Sequence, residues 1–354
     1  MKKMIAATMA AAMLAVSLVG CGTSGSSTQA TKEAGDAQTA SNEAASKESV
    51  ASSDYPAGPV TIVIPYSPGG GSDILTRKIM DYIELPNNAK LVPVNVDGAS
   101  GYIGCMQTYN SKNDGYTIMA HNPMDVISYT LSGSTDIPLW DKLTNICGIA
   151  DDFNIFVTNP KTGWKTVEDA VAYINAHPGE VKVGNTGSNN SNMADCLRVL
   201  DALKIRDKVT VVPYDGGAEN KTALMGNHIQ LSVNTCVDIQ SAIHSGDHVA
   251  LMTIGDRRAK ALPDVPCTKE LGYNIVTTKP RGWYGPAGMD AGQVKVLQEA
   301  CKKVCDNEQF QKEILELGLE INYVDGTEFH DKTGEWYAQM KPYFEEMQKD
   351  AATK

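Results

Sequence analysis

The chain has 354 residues, with 31 Lys and Arg against 42 Asp and Glu, and a formal charge of −11. No basic run interrupts that acidity, which excludes nucleic acid as a natural partner and reads as a solvated surface. The length beyond residue 54 suffices for one large or two mid-sized domains.

Lys2 and Lys3 precede a run of apolar and small residues over positions 5–19. That run is too short and too rich in alanine to span a bilayer, so it is expected to be a secretory signal. It ends in Leu18-Val19-Gly20-Cys21, the form of a bacterial lipobox, in which the cysteine is acylated and the chain cut before it. An ordinary signal peptide cut elsewhere, leaving Cys21 a free thiol, is the other reading. Residues 1–20 are expected to be the lipoprotein signal peptide. Residues 21–54 then form the lipidated Cys21 and a disordered linker on the outer face of the cell membrane. The segment after Cys21 has no aromatic residue and one Val, and it cannot bury enough apolar surface to offset its conformational entropy.

From Tyr55-Pro56 onward, strand and helix patterns alternate. Residues 60–65 form an apolar strand, and a glycine turn leads into a helix over 74–83. Residues 90–96 read as the next strand, followed by Gly98-Ala99-Ser100-Gly101 and a short helix. Residues 116–120 are a third strand and 149–158 a later strand region. Val167, Ala170, Val171 and Ile174 have helical spacing, stopped at His177-Pro178-Gly179. Residues 181–183, 209–212, 229–233 and 249–254 read as strands separated by helices, and helices close the chain over 291–317 and from Thr327 on. Such alternation predicts an α/β fold with mostly parallel sheets, two of them at this length.

Seven cysteines follow Cys21: Cys105, Cys147, Cys196, Cys236, Cys267, Cys301 and Cys305. An odd, scattered set without CxxC or a Cys/His cluster is neither a disulfide framework nor a zinc site. Cys301 and Cys305 share a helical face, as buried thiols or as a metal or redox pair. Unpaired thiols in an exported chain point to a reducing, oxygen-poor habitat.

Two glycine-rich turns carry the chemistry. Pro65-Tyr66-Ser67-Pro68-Gly69-Gly70-Gly71-Ser72-Asp73 joins a strand to a helix, where free N–H groups and the helix dipole favour an anion. It lacks the Gly-Lys-Ser/Thr ending of a Walker A loop, and Ile74 stands where GxGxxG needs its third glycine. Gly184-Asn185-Thr186-Gly187-Ser188-Asn189-Asn190-Ser191-Asn192 is a second such turn. Either turn alone is as consistent with a helix cap; two at similar points of two lobes imply a ligand cleft. An enzyme reading fails on motifs. Neither Ser67 nor Ser188 sits in a GxSxG elbow, and the six histidines lack metal spacing.

The run from Pro59 to Tyr66 followed by Pro68-Gly69-Gly70-Gly71-Ser72-Asp73 resembles the opening signature of the solute-binding receptors of tripartite tricarboxylate transporters, the Bug receptors. Further matches follow in the family's order: Asn95-Val96-Asp97-Gly98-Ala99-Ser100-Gly101 with Gly104, Asp114-Gly115-Tyr116-Thr117, and Val212-Pro213-Tyr214-Asp215-Gly216-Gly217-Ala218. Leu224-Met225-Gly226, Arg258 with Leu262-Pro263-Asp264-Val265-Pro266, Glu270-Leu271-Gly272-Tyr273 and Trp283-Tyr284-Gly285-Pro286-Ala287-Gly288 complete the set.

The resemblance implies two Rossmann-like lobes joined by crossover strands, like a type II periplasmic binding protein. Residues 55–154 would form the first part of lobe 1, 155–277 lobe 2, and 278–354 the return to lobe 1. It implies a monomeric receptor without cofactor or metal that holds a small carboxylate between the lobes and delivers it to the large and small membrane subunits of the transporter. A ligand-binding accessory of a sensor system is the alternative, and a secreted hydrolase the remote one. The expected ligand contacts are Tyr66, Ser67, Gly69, Gly70, Gly71 and Ser72 in lobe 1. In lobe 2 they are Gly187, Ser188, Asn189, Asn190, Tyr214, Gly216, Gly217 and Asn234. Asp73 either caps its helix or meets a ligand ammonium group. Asn122 and His121 line the mouth, unless His121 is a surface residue.

The chain departs from the family pattern. Asn189 and Asn190 replace a frequent glycine and serine, Met193 a histidine, Asp215 a lysine, Asn234 an acid and Asp290 a proline. Aspartate for lysine weakens attraction to a dianion, and the asparagines suit an amide, hydroxyl or amino group. The expected ligand is a small carboxylate with a further polar or amino group, dicarboxylates remaining open.

Overall fold

A computed structural model describes residues 54–352, apart from Asn189, Val276 and Thr278. The export signal, Cys21 and the linker up to residue 53 lie outside the described residues, as does Asn189.

The first segment runs β1 (Val60–Ile64), α1 (Gly71–Met80), β2 (Leu91–Asn95), α2 (Tyr102–Tyr109), β3 (Thr117–His121), α3 (Pro123–Leu131), α4 (Leu139–Lys142) and β4 (Thr144–Asp152). The second runs β5 (Asn154–Thr158), α5 (Val167–Ala176), β6 (Val181–Thr186), α6 (Ser191–Ala202), β7 (Val209–Tyr214), α7 (Gly217–Met225), β8 (Leu231–Thr235), α8 (Cys236–His244) and β9 (Val249–Ile254). The chain then returns through β10 (Lys279–Gly285), α9 (Ala291–Cys305), α10 (Glu308–Glu316), β11 (Glu320–Asp325) and α11 (Gly326–Ala352).

Two mixed sheets result, a six-stranded one ordered β11-β4-β10-β3-β1-β2 and a five-stranded one ordered β7-β6-β8-β5-β9. Each defines a lobe. Alternation along the strands sends successive residues to opposite faces. Ile62, Ile118 and Trp283 pack with Leu75, Ile79 and Leu297 on one face of the first sheet. Their neighbours Val63, Met119 and Tyr284 pack with Tyr129 and Phe329 on the other. In the second sheet Phe156 faces Val183 and Val199, while Ile155 and Val157 face Leu224 and Ile239. Both sheets are therefore covered by helices on both faces, which explains why their strands read as near-continuous apolar runs.

Three expectations change. The region 149–158 is two strands in different sheets, since the chain crosses between lobes at Phe153. Strands β10 and β11 were not legible in the alternation, β10 being rich in Lys, Arg, Pro and Gly and β11 carrying Glu, Asn and Asp among its six residues. The sheets are also less parallel than expected: β10 runs antiparallel to β3 and β4, and β5 antiparallel to β8 and β9. A strand that returns from the other lobe enters its sheet from the opposite end, so the crossovers impose that reversal. The seven cysteines after Cys21 are free and buried.

Candidate functional site

The first glycine turn leaves β1 and enters α1. Gly69 adopts φ +80°, which favours glycine, and the Gly69 N–H donates to Asp73 Oδ2 at 2.9 Å. Asp73 also accepts from Arg77 and, at 3.1 Å, from Asn95 Nδ2. Burial opposes its charge, yet the Arg77 guanidinium, the Gly69 N–H and the Asn95 amide hold its carboxyl below the usual range. Asp73 thus clamps its own turn. Gly70 caps α1 without a side chain, and a Cβ on Gly71 would strike Val237 and the Arg281 guanidinium. Only glycine lets the first lobe come this close to the second.

A cavity of about 30 Å³ lies between the lobes, lined by Tyr66, Gly70, Gly71, Ser72, Asn122 and Asp125 from the first and by Thr186, Asn192, Gly217, Thr235 and Asp238 from the second. Arg281 on β10 completes the wall. That volume matches one or two waters, so a larger ligand enters only if the lobes part. Five helices begin at this wall. Gly70 and Gly71 open α1, Asn122 caps α3, Asn192 sits in the first turn of α6, Gly217 opens α7, and Thr235 precedes α8. Converging N-termini bring positive dipole ends to one place, which favours an anionic group on a ligand, although several of their N–H groups are already taken: Asn122 accepts from Met124, Asn190 from Met193 and Asp152 from Val237.

Buried charges brace the wall. Arg281, 7% exposed, donates from Nη1 to Ser72 Oγ at 2.8 Å and from Nη2 to Asp152 and, at 3.3 Å, to Thr235 Oγ1. It therefore ties α1 to the start of α8. Burial works against its charge, but Asp152 and Asp238 hold its pKa above the ordinary value. Asp125 in the first turn of α3 accepts from Tyr66 Oη at 2.6 Å and, with its other oxygen, from Ser191 Oγ on the opposite lobe. Ser191 Oγ in turn accepts from Lys279 Nζ at 2.6 Å, and Lys279 pairs with Asp195 at 3.0 Å. Asn154 Nδ2 closes the chain on Asp195 at 2.9 Å. Burial, with Asp125 adding to it, pushes the Tyr66 phenol well above its usual value, so the phenol donates rather than ionises.

The expected contacts are distributed as follows. Tyr66, Gly70, Gly71, Ser72, Asn122 and Gly217 line the cavity. Ser67 and Gly216 face each other across the lobes, where a Cβ on Gly216 would meet Ser67 Oγ at 2.9 Å. The Ser188 N–H donates to Ser100 Oγ at 3.2 Å, again across the lobes. Gly187 takes φ +81° and donates to the Tyr214 carbonyl at 2.7 Å, and Asn190 caps α6 by accepting from the Met193 N–H. Asp73, Tyr214, Asn234 and His121 are not part of the wall. Asn234 is wholly buried in a network with Asn220 and Ser232. His121 is 1% exposed, hence no surface residue, and its Nε2 meets Tyr129 Oη at 2.8 Å.

Asp125, Thr235, Asp238 and Arg281 line the cavity and were not singled out from the sequence, while Thr186 and Asn192 lie in the second glycine turn but were not among its expected contacts. The available signal was Lys279 and Arg281, two apart before an aromatic pair, where charge on one face of a strand requires buried partners.

Two α/β lobes closing on a polar cavity between helix N-termini define a periplasmic-type solute-binding protein. The family model of the tripartite tricarboxylate transporter family receptor matches residues 85–348, and the chain belongs to that family. It is a solute-binding receptor that works outside the cytoplasm, not an enzyme. A Cupriavidus necator protein described as "UPF0065 protein in gbd 5'region" is 28% identical over 298 residues, 83% of this chain and 88% of the relative. The solved structure of periplasmic binding protein BugD superposes with a TM-score of 0.76 at 22% identity, covering 84% of this chain and 99% of that one. MatC from Rhodopseudomonas palustris with bound malate superposes with a TM-score of 0.75 at 18% identity, covering 82% and 100%.

Proposed function

We propose that this chain is a lipid-anchored receptor that captures a small carboxylate between its lobes and delivers it to the large and small membrane subunits of a tripartite tricarboxylate transporter. The observation that carries the reading is the convergence of five helix N-termini and Arg281 on one interlobe cavity. Malate in the related fold of MatC supports a carboxylate as the ligand class. Contacts from both lobes make ligand binding drive closure, because only the closed form engages both sets of donors at once. The signal sequence ending at Cys21 supplies the anchor, and the polar segment after it the slack. The receptor acts as a monomer.

Calorimetry on Cys21→Ala protein tests the reading with a panel of small carboxylates, sugars and metal chelates. One or more carboxylates should bind with a Kd of about 1 μM or tighter, and the variant should leave the membrane with its affinity unchanged. Binding of only a sugar or a metal chelate would refute the carboxylate reading. Loss of affinity in the soluble variant would refute a purely anchoring role for Cys21.

A further inference from the structure

The cavity wall is better supplied with negative charge than a receptor for dianions should be. Asp125 and Asp238 line it, Asp152 binds the Arg281 guanidinium from behind, and Arg281 is the one cationic side chain in the lining among the described residues. Lys279 is buried close by and committed to Asp195 and Ser191. A ligand with two carboxylates would bring further negative charge into a site where three carboxylates already face one guanidinium, and in a desolvated setting such repulsion is costly.

The unfilled hydrogen-bonding positions point the same way. Asp238 is 7% exposed and projects from the first turn of α8 into the cavity. Its Oδ2 accepts from Thr235 Oγ1 at 2.7 Å, whereas its Oδ1 has no hydrogen-bond partner among the described residues. Asn192, also 7% exposed and part of the wall, has its Oδ1 unpartnered too. Both oxygens of Asp125, by contrast, are taken by Tyr66 and Ser191. On the donor side, Arg281 Nε is buried and unpartnered among the described residues. Two orphan acceptors, the Thr186 hydroxyl, which is likewise unpartnered among the described residues, and one orphan cationic donor in a single cavity describe the complement of a ligand that carries both an ammonium and a carboxylate.

Resting on the reading of the site as a carboxylate receptor, we propose that the ligand is an amino carboxylate whose ammonium group is held by Asp238 Oδ1 and Asn192 Oδ1, while its carboxylate faces Arg281 and the helix N-termini. Burial, with Asp152 adding to it, raises the Asp238 carboxyl above its ordinary value against the opposing pull of Arg281, the Thr235 hydroxyl and the Gly71 N–H. An ammonium group at Oδ1 supplies the counter-charge that burial withholds. Asp238 then acts as the residue that discriminates amino acids from their deaminated counterparts.

The test is a calorimetric and thermal-shift panel on wild-type protein and on Asp238→Asn. It contains the proteinogenic L-amino acids, succinate, glutarate and propionate as deaminated partners of aspartate, glutamate and alanine, and putrescine as an amine without a carboxylate. At least one amino acid is expected to bind about tenfold or more tightly than its deaminated partner or, lacking one here, than all three acids. Asp238→Asn, which keeps the shape of the side chain, is expected to erase that margin. Equal or tighter binding of the deaminated acids overturns the proposal and leaves the carboxylate reading intact. Putrescine binding as tightly as the best amino acid overturns the carboxylate reading instead. A preference for amino acids that survives in folded Asp238→Asn removes Asp238 from the role, and failure of every amino acid to bind at about 10 mM overturns the proposal outright.

Discussion

At the scale of single residues, the glycine turns were legible because their meaning is local. Gly69 at φ +80°, Gly71 pressed against Val237 and Arg281, and Gly187 at φ +81° each answer a demand made within a few positions or at one close approach. The charged wall was not legible, because its logic is pairwise and distant. Arg281 meets Asp152 across 129 residues, and Asp125 meets Ser191 across 66. No periodicity announces such pairs. His121 shows how burial, once seen, becomes a prediction. Burial, reinforced by Arg281 and opposed by Asp125, lowers its pKa from 6.5 to about 4. Between those values the unfolded chain binds a proton that the folded chain refuses. Stability from this residue is therefore complete above the unfolded pKa and falls as pH drops toward the folded one, by up to roughly 3 kcal/mol. Urea unfolding at about pH 7 and about pH 5 should show the loss. His121→Gln should flatten it, leaving the smaller contribution of His248, which burial shifts the same way; an unchanged slope in that variant would exclude His121 as the source.

At the scale of elements, most of the strands and helices followed from apolar runs bounded by turns. Among the exceptions were β10, hidden by its Lys, Arg, Pro and Gly, and β11, hidden by its Glu, Asn and Asp. The missed β10 is the strand that carries Lys279 and Arg281 between the lobes. Helix α3 was missed as well, and its first turn supplies Asp125. The start of α6 couples to both, since Ser191 donates to Asp125 and accepts from Lys279. That relay latches the lobes: its loss leaves two buried charged groups short of a partner. Ser191→Ala should therefore raise the ligand dissociation rate about tenfold while the association rate stays within about threefold. Stopped-flow measurement of both rates decides, and an unaltered dissociation rate would remove Ser191 from the closing mechanism.

At the scale of the whole molecule, two sheets covered on both faces give rigid lobes, and the crossing at Phe153 with the return into β10 gives the places where they can rotate. Sequence order alone placed the two glycine turns at equivalent points of the two lobes. How closely the lobes approach depends on the crossovers, and on Gly71 and Gly216 having no side chain to keep them apart. The buried thiols add a property of a different kind. With Cys105, Cys147, Cys196, Cys236, Cys267, Cys301 and Cys305 all inside, and burial pushing the Cys196 thiol up to about 12, the folded chain offers an oxidant no reactive sulfur among its described cysteines. The vulnerable state is the unfolded chain, in which each of these sulfurs is bare. A thiol-reactive dye added to Cys21→Ala protein should label slowly in buffer and accelerate in step with unfolding in urea; rapid labelling of the native protein would reveal a local opening instead. Wherever an oxidant is present, the same sulfurs turn the molecule into its own stopwatch, since only a copy that has unfolded can be marked.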